Sequence, residues 1–190
     1  ELVDFGITRG KIPVKSIDVA YMMNDTTGYI KLSKFSRTTY MEFLQSMVSL
    51  KIKGMKKLVF DLRDNLGGYL NQALYISNEF LEKDQLIVYV QGDNRARQDF
   101  KANGEGVGRD LELVVLINEN SASSSEIFAG AMQDNDRATI VGRRSYGKGL
   151  VQEPIYFEDN SGIRLTVAKY YTPTGRNIQK PYEKGDEESY

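Results

Sequence analysis

SASSSEIFAGAMQDNDRATIVGRRSYGKGLVQ, residues 121–152, decides how the chain is read. A serine-rich turn opens a helix that runs to about Asp134. A short apolar strand, Ala138 to Val141, follows, and the stretch closes on Lys148 held between Gly147 and Gly149. Immediately upstream, Leu111 to Ile117 (LELVVLI) is a continuous apolar run of the kind found in buried strands. Strand, polar turn, helix and strand in this order are the repeating unit of a layered α/β domain.

Further upstream the pattern repeats. Tyr40, Phe43, Leu44, Met47, Val48 and Leu50 recur at helical spacing, with Ser36 or Thr38 available as a cap and Gly54 as a stop. Leu58-Val59-Phe60 reads as a buried strand and leads into DLRDNLGG, residues 61–68, a turn with paired glycines. Leu70, Ala73, Leu74, Ser77, Phe80 and Leu81 mark a second helix. Strands are predicted at Ile17 to Met23, Gly28 to Phe35 and Gln85 to Gln91, and Gly92 to Asp110 is predicted to be a long surface loop. After the central stretch, Leu150 to Phe157 and Ile163 to Tyr171 are strands joined by Asp159-Asn160-Ser161-Gly162, a hairpin signal. Residues 1–16 read as a linker or remnant, 17–190 as one domain, and the polar last ten residues as frayed. In such folds sites gather where loops leave the carboxyl ends of strands, and both DLRDNLGG and NENSASSSE lie there.

At 190 residues the chain is long enough for one core. A formal charge of −1 and the lack of a basic stripe argue against nucleic acid. No stretch of eighteen apolar residues is present. The chain opens at Glu1, without Met, and is expected to be a piece of a longer protein. It contains no His and no Cys. A Ser-His-Asp triad, a Cys-His pair and the usual Cys/His zinc sites are therefore excluded within this chain. A serine nucleophile would need Lys or a carboxylate as its base, and a lysine base must be neutral.

Ser123 and Glu126 have the spacing of a plain capping box. The same geometry can expose a serine at a sheet edge, with N–H groups at the positive helix end to stabilise an oxyanion. Ser121, Ser124 and Ser125 compete with Ser123, and local spacing does not choose among them. Residues 142–148 also have the G-x-x-x-x-G-K spacing of a P-loop. However, Gly149 stands where a hydroxyl should hold Mg²⁺, and strand-like sequence with Pro154 follows where a helix is required. A P-loop is rejected.

Taken together, GYIKLSKF, DLRDNLGG, NSASSSEIFAGAMQDN, YGKGLVQ and AKYYTPTGRNIQ resemble, in this order, blocks of the C-terminal processing (tail-specific) serine peptidases, over roughly residues 14–179. The resemblance implies a ClpP/crotonase-like α/β core with a mixed, largely parallel sheet and flanking helices. Carried over by position, it makes Ser123 the nucleophile, Lys148 the general base and Gln152 the residue orienting that lysine. The N–H groups of Gly68 and Ser124 become the oxyanion donors. Ser124, Asp64 and Leu66 depart from the residues common at their positions, and Asp134 receives no chemical role. The family usually carries a PDZ domain before this core, and residues 1–16 resemble the exit from it. The resemblance also implies a protein or peptide substrate cut near its carboxyl terminus, no metal or other cofactor, and an extracytoplasmic setting. A homo-oligomer is compatible with the sequence. A catalytically silent peptide-binding module of the same fold is the alternative. A free lysine, with a pKa of about 10.4, is charged near neutrality. The chemistry therefore leads to the expectation that Lys148 is buried in a closed apolar site, with Gly147 and Gly149 permitting close packing.

Overall fold

The computed structural model describes residues 3, 5–6, 8–10 and 14–181. The expectation of frayed residues at 181–190 therefore falls outside the described residues except at Pro181, and that of a linker at 1–16 falls partly outside them. In chain order the elements are β1 (Ile17–Met22), β2 (Thr27–Leu32), α1 (Thr39–Ile52), β3 (Lys57–Asp61), α2 (Leu70–Asn78) and β4 (Leu86–Gly92). They continue with β5 (Arg95–Lys101), β6 (Glu112–Ile117), α3 (Ser124–Asp134), β7 (Thr139–Gly142), β8 (Leu150–Tyr156) and β9 (Gly162–Tyr171).

Two sheets form. The first has the order β1-β2-β3-β6-β7, and all its pairings are parallel except β1 with β2. The second, β5-β4-β9-β8, is wholly antiparallel. The fold is thus a mixed α/β architecture with flanking helices. One sequence expectation is corrected. Arg95–Lys101 is a strand rather than surface loop, paired antiparallel with β4 across a tight turn at Asp93-Asn94. Its residues, RARQDFK, are mostly exposed and show no apolar alternation, so pairing with β4 rather than burial holds it extended.

The strands predicted from apolar runs are buried as that reading requires. Ile30, Leu32, Leu58, Phe60 and Val115 from the first sheet pack with Phe43, Met47 and Leu50 of α1, Ala73 and Ile76 of α2, and Phe128, Ala131 and Met132 of α3. Phe60, Phe80, Phe43 and Phe128 form a chain of tilted and edge-on rings, with centroids 5.1 Å apart for Phe60–Phe128 and 6.0 Å for Phe43–Phe80. Such pairs contribute roughly 0.5–1.5 kcal/mol beyond area burial. At the end of β3, Asp61 is fully buried and accepts from the Tyr29 hydroxyl at 2.5 Å and from the Arg63 guanidinium at 2.7 Å. Burial pushes the Tyr29 hydroxyl up to about 12, and the Asp61 bond adds to it. Burial alone would raise Asp61 as well. The Arg63 and Tyr29 bonds outweigh it and hold the carboxyl below its usual range.

Candidate functional site

β3 and β6 are parallel neighbours, with Asp61 opposite Leu116, so the turns that leave their carboxyl ends adjoin. Leu62 N–H donates to the Leu116 carbonyl at 2.9 Å and Ala122 N–H to the Asn65 carbonyl at 3.0 Å. Asp64 is gripped from the second turn: its carboxylate accepts from Asn120 at 2.9 Å and Asn118 at 2.8 Å, and those bonds lower its pKa. Gly67, at φ 93°, is where the turns touch. A Cβ there would lie 2.6 Å from the Ala122 carbonyl oxygen and 2.9 Å from Ser124 N, so no side chain fits.

This contact sorts the four serines. Ser121 Oγ donates to the Leu62 carbonyl at 2.8 Å, Ser124 Oγ to that of Gly68 at 2.9 Å, and Ser125 Oγ to that of Asn65 at 2.9 Å. All three are buried and occupied in stitching α3 to the glycine turn. Ser123 differs on every count. It is partly exposed, it has φ 55° and ψ −113°, and its hydroxyl donates no hydrogen bond among the described residues. A non-glycine residue at positive φ stores roughly 1–3 kcal/mol of strain, which surrounding contacts must sustain. The predicted capping box is present: Ser123 N–H donates to Glu126 Oε2 at 2.8 Å, and Glu126 N–H turns back to Ser123, meeting its carbonyl at 2.9 Å and facing its side chain. The hydroxyl proton is left without an acceptor among the described residues.

Two backbone donors in the adjoining turns are unspent. Ser124 N–H begins α3, where no intrahelical acceptor exists, and neither it nor Gly68 N–H has an acceptor among the described residues. Gly68 is held by its neighbours: Phe35 N–H donates to the Gly67 carbonyl and Tyr69 N–H to that of Phe35, both at 2.9 Å.

Glu126 proves to be the hub. Its carboxylate, 7% exposed, accepts from Ser145 Oγ at 2.7 Å, Gly147 N at 2.7 Å and Lys148 N at 2.8 Å, besides Ser123 N. One carboxylate oxygen therefore joins the backbone of Ser123 to that of Lys148. The sequence reading missed this second role, because spacing reveals only the partner three residues away. The donors at 145–148 carry no local signal.

The expectation of a buried lysine is overturned. Lys148 is exposed, and its ammonium makes no hydrogen bond among the described residues. The flanking glycines do pack closely, but against residues 178–180, and the Lys148 side chain stays exposed. Gln152 is likewise exposed on β8, opposite Thr166, and makes no hydrogen bond to Lys148. Backbone folding thus brings Ser123, Gly68, Ser124 and the Lys148 loop together, while the Lys148 and Gln152 side chains are not joined to the serine. No group of three Asp or Glu side chains suited to a metal converges among the described residues.

A sequence model described as peptidase family S41 matches residues 26–188. The chain is 41% identical over 182 residues to a carboxyl-terminal-processing protease of Synechocystis sp., covering 93% of this chain and 42% of that protein. It is 36% identical over 180 residues to the carboxy-terminal processing protease CtpA of Bacillus subtilis, covering 94% of this chain and 38% of the relative. The chain therefore spans about two fifths of the length of these curated relatives. Among solved structures, the photosystem II D1 C-terminal processing protease superposes with a TM-score of 0.80 at 30% identity, over 90% of this chain and 47% of that one. A putative S41 protease from Bacteroides fragilis shares the fold, with a TM-score of 0.70 at 18% identity over 88% of this chain and 49% of that one.

Proposed function

Because the chain belongs to peptidase family S41, we propose that it forms the catalytic core of a serine endopeptidase that cuts protein substrates near their carboxyl termini. The observation that carries this reading is the singling out of Ser123: the one serine of the four whose hydroxyl donates to no carbonyl, at positive φ, with two unspent N–H donors in the adjoining turns. In the proposed reaction Ser123 Oγ attacks the scissile carbonyl carbon as Lys148 Nζ, in its neutral form, removes the hydroxyl proton. The oxygen that gains charge is held by Gly68 and Ser124 N–H at the positive end of α3. The C–N bond then breaks, the departing amine takes the proton from Lys148, and an acyl-Ser123 ester remains. Water, deprotonated by Lys148, hydrolyses that ester and restores Ser123.

Lys148 works from a backbone only one shared carboxylate oxygen away from that of Ser123. In the proposed reaction its flexible four-carbon stem carries the amine to the hydroxyl. A substrate lying over Gly68 and Ser124 excludes water from the amine, with Gln152 orienting it. An extracytoplasmic setting belongs to the same proposal and is supported by family resemblance; no helix among the described residues is long and apolar enough to cross a membrane.

A fluorophosphonate probe with peptide mapping tests the reading. The adduct is expected on Ser123, absent from Ser123→Ala and retained in Ser121→Ala and Ser125→Ala. Labelling of Ser125 instead would overturn the register, and an unlabelled wild-type protein of natural length would leave only a silent module of this fold.

A further inference from the structure

The segment after β9, TPTGRNIQK at residues 172–180, has no part in the reaction just described, yet it lies directly on the loop that carries Lys148. The chain reverses after Tyr171 in a tight turn, with Gly175 N–H donating to the Thr172 carbonyl and Thr172 N–H to that of Arg176, both at 2.9 Å. It then runs back as a strap. Lys180 N–H donates to the Gly147 carbonyl at 2.9 Å, and Gly149 N–H donates to the side-chain oxygen of Gln179 at 3.0 Å. The contact is too close for side chains on the loop. A Cβ at Gly147 would lie 2.7 Å from Lys180 Cβ, and one at Gly149 would lie 2.4 Å from Gln179 N.

The strap's other end is tied to α3. Asp134, at its last turn, has a side chain 4% exposed and accepts from Thr174 N–H at 3.0 Å, from Thr174 Oγ1 at 2.6 Å and from the Arg176 guanidinium. Arg176 also donates to Gln133 Oε1 at 2.9 Å. The helix that presents Ser123 at its first turn therefore holds the Lys148 loop twice, through Glu126 directly and through Asp134 and the strap.

With no bond on its own ammonium, Lys148 is aimed by its backbone alone. The Glu126 side clamps Gly147 N and Lys148 N; the far side is clamped by Lys180 N–H, by Gln179 and by Tyr170 N–H, which donates to the Gly149 carbonyl at 2.8 Å. We infer that Gln179 is a positioning residue for the general base: its amide oxygen, through Gly149 N–H, sets where the Lys148 backbone stands relative to Ser123, with Asp134 anchoring the strap that carries it. This inference rests on the reading of Lys148 as the base.

The test uses the protein at its natural length, with Gln179→Met, which keeps the size and removes the acceptor, and Gln179→Glu, which keeps an acceptor oxygen. Peptide hydrolysis is measured on the pH plateau. Gln179→Met is expected to lower kcat about 10- to 100-fold, the scale of a small misplacement of a reacting group. KM stays within about twofold, because substrate binding energy is untouched. Gln179→Glu restores most of kcat, and amide exchange at Gly149 accelerates in Gln179→Met alone. Asp134→Asn, which weakens the anchor from outside the loop, is expected to lower kcat in the same sense. Wild-type kcat in Gln179→Met alongside inactive Lys148→Ala would overturn the positioning role and leave the base intact. Active Lys148→Ala would overturn both. A kcat loss that Gln179→Glu fails to restore, in step with lost thermal stability, would make the strap structural only.

Discussion

Replacing Glu126 separates a simple helix cap from the joint between nucleophile and base. A cap alone loses about 1 kcal/mol on removal. The structure requires more. Four donors converge on a carboxylate that is 7% exposed, all between 2.7 and 2.8 Å, and three are backbone N–H groups that cannot turn elsewhere. Hydrogen bonds to a charged acceptor contribute roughly 1.5–3 kcal/mol each, and they do not add fully in one network. Glu126→Ala is therefore expected to lower stability by about 3–5 kcal/mol, a midpoint drop on the order of 10 °C for a domain of this size. Glu126→Gln is milder and more informative. Its amide puts an NH₂ where one carboxylate oxygen stood. On the Oε1 side Ser145 can rotate its hydroxyl to accept, while Gly147 N–H faces another donor. A loss of about 1–3 kcal/mol follows. Hydrolysis falls as well, by about 100-fold, because Ser123 and Lys148 lose their shared anchor. Urea unfolding and peptide hydrolysis are measured on the same preparations, with fluorophosphonate labelling as a check on Ser123. If Glu126→Gln matches wild type within twofold in rate and also in midpoint, the joint has been misread and Glu126 is an ordinary cap.

Lys148→Arg is expected to be inactive in peptide hydrolysis while remaining folded, since guanidinium stays protonated and cannot accept the Ser123 proton; substantial turnover by this variant would remove Lys148 from the mechanism. Phe128→Ala removes the ring that meets Phe60 and Phe80 and should destabilise by about 3–5 kcal/mol in denaturant titration, with a loss under about 1 kcal/mol contradicting the described packing. Asp61 has its carboxyl held below the ordinary range in the folded state, so the unfolded chain binds the proton more readily and stability rises with pH. That contribution is fully present above the unfolded carboxylate value, about 3.9, and is lost as pH falls through the folded one. Asp61→Asn should therefore flatten the acid limb of a stability–pH curve, and an unchanged limb would contradict the pairing with Arg63 and Tyr29.

Several features of this protein were legible in the chain before folding is considered. Leu58-Val59-Phe60 and LELVVLI read as buried strands because parallel strands covered by helices are apolar on both faces. The turns after them, DLRDNLGG and NSASSSE, could be placed at one sheet edge because the carboxyl ends of parallel neighbours coincide. Helix α3 was bounded from its own cap and periodicity, and blocks of sequence along the chain placed it among the C-terminal processing peptidases. What failed to show in sequence was whatever depends on a distant partner. RARQDFK became a strand only because β4 offered it a ladder. Spacing alone left four serines equivalent; they part only when Leu62, Asn65 and Gly68 present carbonyls to three of them and none to Ser123. Glu126 looked like a local cap, and Gly147 and Gly149 looked like room for a buried lysine. Folding gave the carboxylate three donors from the lysine loop and set residues 178–180 against the glycines, leaving the Lys148 side chain exposed. Periodicity, caps and turn glycines act between neighbours along the chain, so sequence carries them directly. Hydrogen-bond acceptors and steric walls come from residues brought close only by the tertiary fold, and those decided which serine is free and where the lysine points.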